Sequence, residues 1–186
     1  MPRSDGVFKW DELNIIRQDA ELFFSKGTVR TKEELKRFCD YLEFVLCLVY
    51  AYGWQDAEEI VGIVPFRDGL DDKAVNLEID GKTFRERITE DSTPEEVIRI
   101  IDTEAHRDYN TGIYDAAKGS GKPGIRKKWN TMMDNRVRDP HAYMQGLTVG
   151  LDDEFYTYTG DSTLYPGGFG VPDLDINCRC YITLIA

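Results

Sequence analysis

The stretch STPEEVIRIIDTEAHRDYNTGIYDAAKGSG, Ser92 to Gly121, decides how the rest of the chain is divided. Thr93 stands where a helix N-cap belongs and Pro94 takes the first helical position. Glu96 completes a capping box, in which hydroxyl and carboxylate each satisfy an otherwise orphaned backbone N–H. Val97, Ile98, Ile101 and Ala105 recur at helical spacing and form the stripe expected to be buried. Gly119, Gly121 and Gly124 end the pattern and open a loop. A long helix is therefore predicted in mid-chain, with different text on either side of it.

On the N-terminal side the text is helical. VFKWDELNIIRQDAELFFSKG places Phe8, Leu13, Ile16, Ala20 and Phe23 or Phe24 near helical spacing and stops at Gly27. Thr31 and Glu34 make another capping box. Behind it Leu35, Phe38, Leu42, Val45, Leu46 and Val49 form a wide apolar stripe that Gly53 is expected to end. A short helix, WQDAEEIVGIV, is expected next, before Pro65. Three helices in one antiparallel cluster is the simplest packing. Between Pro65 and Asp91, VNLEIDGKTF reads as a hairpin turning at Asp80-Gly81.

On the C-terminal side the pattern changes to strands and turns. IRKKWNTMMD alternates at Trp129, Thr131 and Met133, and NRVRDPHAYMQG is irregular. LTVGL, EFYTYT and CRCYITLIA read as short strands, with the Gly- and Pro-dense STLYPGGFGVPDLDIN as a shaped loop between the last two. The fold class is α+β: an N-terminal helical lobe (residues 1–64), a connecting hairpin (65–92), and a module (93–186) of one long helix and a small, mostly antiparallel sheet closed by the C-terminal strand.

Composition narrows the classes of function. With 41% hydrophobic and 12% aromatic residues, the 186-residue chain can bury a core. Its net charge of -11 opposes non-specific attraction to nucleic acid or anionic lipid over most of the surface. The longest apolar run, Phe44 to Tyr52, is far short of the ~20 residues that span a bilayer. MPRSDGVFKWDEL lacks the apolar core of a secretory signal, and four Cys without such a signal point to reduced thiols. Cys39 and Cys47 fall in helical pattern and read as core filler.

Chemistry-bearing residues gather near the C-terminus. His141, one of two His in the chain, follows Asp134, Arg136, Arg138 and Asp139. Cys178 and Cys180 flank Arg179 in what reads as the last strand. Residues two apart on a strand share a face, so both thiols point at one object and Arg179 points away. Three readings of this group stand side by side. His141, Cys178 and Cys180 bind Zn²⁺ with Asp134 or Asp139 as fourth ligand, since thiolate and imidazole suit zinc. Alternatively, one Cys is a nucleophile activated by His141. In the third, the thiols pack as small apolar groups and the His is hydrogen-bonded in place. A disulfide between positions i and i+2 is strained and is set aside. KGSGKPG, Lys118 to Gly124, lacks the spacing of a nucleotide-binding loop and reads as a loop only.

The same region carries a resemblance. TEAHRDYN (103–110), KKWNTMMDNRVRDPHAYMQG (127–146), EFYTYTGDSTLYPGGFG (154–170) and INCRC (176–180) match, in order and spacing, the phage head-morphogenesis family of minor head proteins similar to protein F of phage Mu. The helical body common in that family between the DGKTF-like and TEAHR-like segments is shortened here. The resemblance implies a low-copy structural protein associated with the portal or major capsid protein. Such a protein assists head assembly and DNA packaging or delivery, in the capsid interior and in the host cytoplasm during assembly. From the residues themselves no cofactor is expected apart from possible zinc, and no membrane, small-molecule substrate or catalytic set is evident. Glu104, Asp134, Arg136, Arg138, His141, Asn177, Cys178 and Cys180 are expected to form a structural polar cluster. The competing enzymatic reading is a metal-dependent hydrolase or nuclease-like effector using His141 with Cys178 and Cys180, and Glu104 as general base. A third reading uses charge. Lys118, Lys122, Arg126, Lys127 and Lys128, with Arg136 and Arg138 beyond, face Asp134 as the one acid between 118 and 138, a patch suited to an acidic protein face or to DNA.

Overall fold

The computed structural model describes residues 10–27, 30–66 and 76–186, and the expectations for Phe8 and Val75 lie outside them. Two N-terminal helices, α1 (Asp11–Phe23) and α2 (Lys32–Val61), lead to a one-turn helix, α3 (Phe84–Arg87), and the long helix α4 (Pro94–Gly119). Then follow β1 (Arg126–Asn130), α5 (Asp139–Met144), β2 (Thr148–Gly150), β3 (Phe155–Tyr156), β4 (Ser162–Thr163), α6 (Pro172–Asp175) and β5 (Tyr181–Ile185). The fold is α+β. β1 is the central strand of an antiparallel sheet of order β2-β1-β5, and β3 and β4 form a separate antiparallel pair. Among the described residues no helix is long and apolar enough to cross a membrane.

Local signals set the helix starts. The capping boxes Thr31/Glu34 and Thr93/Glu96 are both formed, and a third, Thr83/Glu86, starts α3. Gly53 does not end α2, which runs 30 residues without a break to Val61 and absorbs the separate helix expected after it. The reason is tertiary. An added Cβ at Gly53 would collide with the carbonyl oxygen of Tyr109 on α4, and one at Gly112 with the carbonyl oxygen of Tyr50 on α2. The two helices cross backbone to backbone, each glycine facing the carbonyl three residues before the other. Close approach, and not termination, selects glycine at both places.

The hairpin expected at 75–84 shrinks to one bridge, Ile79 to Lys82. Asp80 and Gly81 have φ of 54° and 67°, the geometry of a two-residue turn, but Thr83 already caps α3, so no strands extend from it. The segment expected to be irregular before Gly146 contains α5, started by Pro140 in its first turn. Met133 does not continue the alternation of β1; it is exposed, with φ of 55°. EFYTYT contributes only two strand residues, and β4 arises inside the loop. The terminal strand begins at Tyr181, one residue after Cys180.

A single apolar core runs from Leu13, Ile16 and Ala20 of α1 through Leu42, Leu46 and Tyr50 of α2 to Ile101, Ala105 and Ala116 of α4. It continues into Trp129 of β1 and Ile182 of β5. It therefore draws on residues from both sides of the 65–92 connection. α4 is its axis: from Thr103 to Ile113 every residue is buried, because helices cover one side and the sheet the other.

Candidate functional site

His141 lies on α5, and the cysteines lie on the extended segment between α6 and β5. Two clamps fix that segment at its ends. Asp175, at the end of α6, accepts from the backbone N–H groups of Phe169 (3.2 Å), Gly170 (2.6 Å) and Val171 (3.2 Å), which folds the Gly-Pro loop around it. Its own carbonyl accepts from the N–H of Cys178 at 3.0 Å. Asn110 of α4 then holds the far end. Its side-chain amide donates to the carbonyl of Cys180 (3.2 Å), and its oxygen accepts from the N–H of Ile182 (2.9 Å). Between the clamps, Asn177 takes a left-handed φ of 59° and its N–H donates to Thr103 Oγ1 at 3.3 Å.

The chain alternates through this segment although no strand is formed there. Cys178 and Cys180 are buried and turn inward; Arg179 turns out and donates twice to Asp134, at 2.7 and 2.8 Å. The Arg179 guanidinium holds the Asp134 carboxyl well below the usual carboxylate range. Inward, both sulfurs face one atom: His141 Nδ1 lies 3.7 Å from Cys178 Sγ and 3.5 Å from Cys180 Sγ. The ring is boxed by aromatic faces, stacked on Phe169 at 5.7 Å and edge-on to Trp129 at 5.6 Å. Among the described residues these three form a group whose candidate ligand atoms all lie within 4.8 Å of one another. The two thiols titrate as a pair. Hydrogen bonding from Cys180, aided by His141, lowers Cys178 against the opposing effect of burial, and the same bond together with burial raises Cys180.

The other residues singled out in the sequence are distributed differently. Asp134 is engaged by Arg179 and Arg136 and is not in the sulfur–imidazole group. Arg138 donates to the carbonyl of Ile176 and so braces the cysteine segment from outside. Glu104 is remote in role: fully buried, it is bonded to Arg87 and Arg107, and Arg107 also donates to the carbonyl of Leu77 at 3.0 Å. Both of its carboxylate oxygens are engaged by guanidiniums, so Glu104 does not fit the general-base role.

The basic patch is also partly dissolved. Lys127 points inward and is fully buried. Its ammonium donates to the carbonyl of Leu151 at 2.7 Å and lies over Tyr114, and burial lowers its pKa to about 8. Lys118 pairs with Asp152, and Lys122 donates to the carbonyl of Ile60 at 3.0 Å. Arg126 is exposed and Lys128 half-buried on the outer face of β1. Asn110, Asp175, Phe169 and Trp129 complete the site, and their role has no local signature. Asn110 acts on residues 70 and 72 positions away.

Comparison with known proteins adds the following. The sequence model of the family described as Phage Mu protein F like protein matches residues 74–183. Over 88 residues the chain is 39% identical to the NAD(+)–arginine ADP-ribosyltransferase EFV of Enterococcus faecalis, a match covering 46% of this chain and 18% of that protein. Over 84 residues it is 29% identical to the minor head protein GP7 of Bacillus phage SPP1, covering 45% of this chain and 27% of that one. The chain thus matches less than a third of the length of either relative. No solved structure matches at a significant level.

Proposed function

Because the chain belongs to the Phage Mu protein F like family, we propose that it acts as a minor head protein, a structural component of phage head morphogenesis. In this reading it is a low-copy component that contacts the portal or the major capsid protein in the capsid interior and assists head assembly and DNA packaging or delivery. The family match over 74–183, seconded by the likeness to a phage minor head protein, carries the proposal. The geometry supports it. Several polar residues of the matched region close the chain upon itself: Asp134 on Arg179, Asp175 on three backbone N–H groups, Glu104 on Arg87 and Arg107. A module built this way presents a stable surface to partners.

The test is affinity capture of the tagged chain from cells in which a prophage encoding it has been induced. Recovery of the portal or major capsid protein is the expected result. Capture of neither, from cells in which heads are assembling, would overturn the reading. The ADP-ribosyltransferase name belongs to a protein of which this chain matches 18%. Transfer of ADP-ribose from NAD⁺ to an arginine substrate by the purified chain would replace the structural reading with an enzymatic one.

A further inference from the structure

We propose that His141, Cys178 and Cys180 form a zinc site that ties α5 to the C-terminal segment, with the fourth position open to one water. The argument is geometric. In a tetrahedral zinc site, Zn–S of about 2.3 Å and Zn–N of about 2.0–2.1 Å put the imidazole nitrogen about 3.6 Å from each sulfur. The observed separations are 3.7 and 3.5 Å. Without a metal, hydrogen bonding from the imidazole leaves the second thiol to the Cys180–Cys178 bond described above. Nδ1 of an imidazole either donates one proton or accepts one. It can serve one of the two thiols, yet both stand within reach of it. A cation is the species that uses both sulfur lone pairs and the nitrogen lone pair at once.

The surroundings fit the same occupant. The backbones of Cys178 and Cys180 are held by Asp175 and Asn110, so the thiols are positioned by the protein and not by the ion alone. Phe169 and Trp129 wall the imidazole off from solvent and fix its plane. A cavity of about 10 Å³ lies beside the three side chains, lined further by Met132, Arg136, Arg138 and Asn177. That volume is about one water. The donor set chooses the metal: two thiolates and an imidazole favour zinc over the hard cations Mg²⁺ and Ca²⁺. Asp134, committed to Arg179, is not the fourth ligand.

The proposal stands apart from the head-assembly reading, since a zinc clasp would serve the fold whatever the fold contacts. It is tested on the full chain, purified with reduced thiols, freed of metal with a chelator and titrated with zinc sulfate. The expected result is one zinc per chain by elemental analysis. The melting midpoint should rise by about 10 °C when free zinc exceeds its Kd about a thousandfold. Cobalt(II) in place of zinc should give the absorption of a tetrahedral thiolate complex. Cys178→Ser, Cys180→Ser and His141→Gln should each weaken binding at least tenfold, while Cys39→Ser and Cys47→Ser should leave it unchanged. If a site variant fails to fold, the cobalt spectrum and zinc-dependent melting of the unaltered chain still decide. Folded, reduced protein that takes up no zinc would overturn the proposal, as would zinc retained in full by the folded Cys178→Ser/Cys180→Ser double variant.

Discussion

Asp108 is the clearest case of a single residue whose surroundings oppose its ordinary state. It is fully buried on α4, and neither carboxylate oxygen has a hydrogen-bond partner among the described residues. Burial raises its pKa to about 7, with the neighbouring Arg107 charge opposing part of the rise. The unfolded chain loses this proton near pH 3.9, so between about pH 4 and pH 7 the folded state binds the extra proton. Stability from this group therefore falls as pH rises through that window and levels off above it, by a total on the order of 4 kcal/mol. Asp108→Asn removes the ionisation while keeping the shape. Its melting midpoint is expected to match the parent near pH 4 and to exceed it increasingly up to pH 7–8. A difference that stays constant with pH would show that ionisation of Asp108 is not what the fold resists.

Among the elements, the crossing of α2 and α4 is the contact with the least tolerance. Gly53 and Gly112 let two backbones touch, and neither facing carbonyl is a flexible side chain that can move aside. Gly112→Ala would gain about 1 kcal/mol of helix propensity. Against this, separating the helices should cost about 3 kcal/mol or more, because the core around Tyr50, Ile113 and Ala116 opens with them. The steric term wins, and the urea midpoint is expected to fall accordingly; an unchanged midpoint would mean that the crossing yields easily. The same crossing shows what was legible in the sequence. The capping boxes of α2 and α4 could be read because their partners lie three residues apart. Gly53 could not, since its reason for being glycine is a carbonyl 56 positions away, on Tyr109. The α+β division followed from the change of hydrophobic period at Gly119, which is also local. At the candidate site, the alternation of Cys178, Arg179 and Cys180 was readable from chain parity. The clamps that hold it, Asn110 and Asp175, act across long loops or on backbone atoms, which leave no pattern in side-chain type.

At the scale of the whole molecule the question is which partner its electrostatics permit. A net charge of -11 repels a polyanion, so DNA contact would depend on the local patch between Lys118 and Arg138. In sequence the patch counts seven basic residues against one acid, and the fold reduces it at several points. Strand parity already places Lys127 on the same face as Trp129, which is the buried face, and its ammonium is used on the Leu151 carbonyl. Lys118 is matched by Asp152, Arg136 contacts Asp134, and Arg138 is turned onto Ile176. Arg126 and Lys128 remain as the outward pair on β1, with Lys122 beyond the helix end. Each phosphate contact contributes steeply only at low salt, and two or three of them against an opposing overall field give little affinity. The purified chain at micromolar concentration is therefore expected not to retard linear duplex DNA, even at about 50 mM salt. Retardation that weakens steeply with added salt and is lost in Arg126→Ala/Lys128→Ala would reverse this and assign the outer face of β1 to nucleic acid. If none is seen, Arg126 and Lys128 become charges suited to an acidic protein face, in keeping with the head-assembly role proposed above.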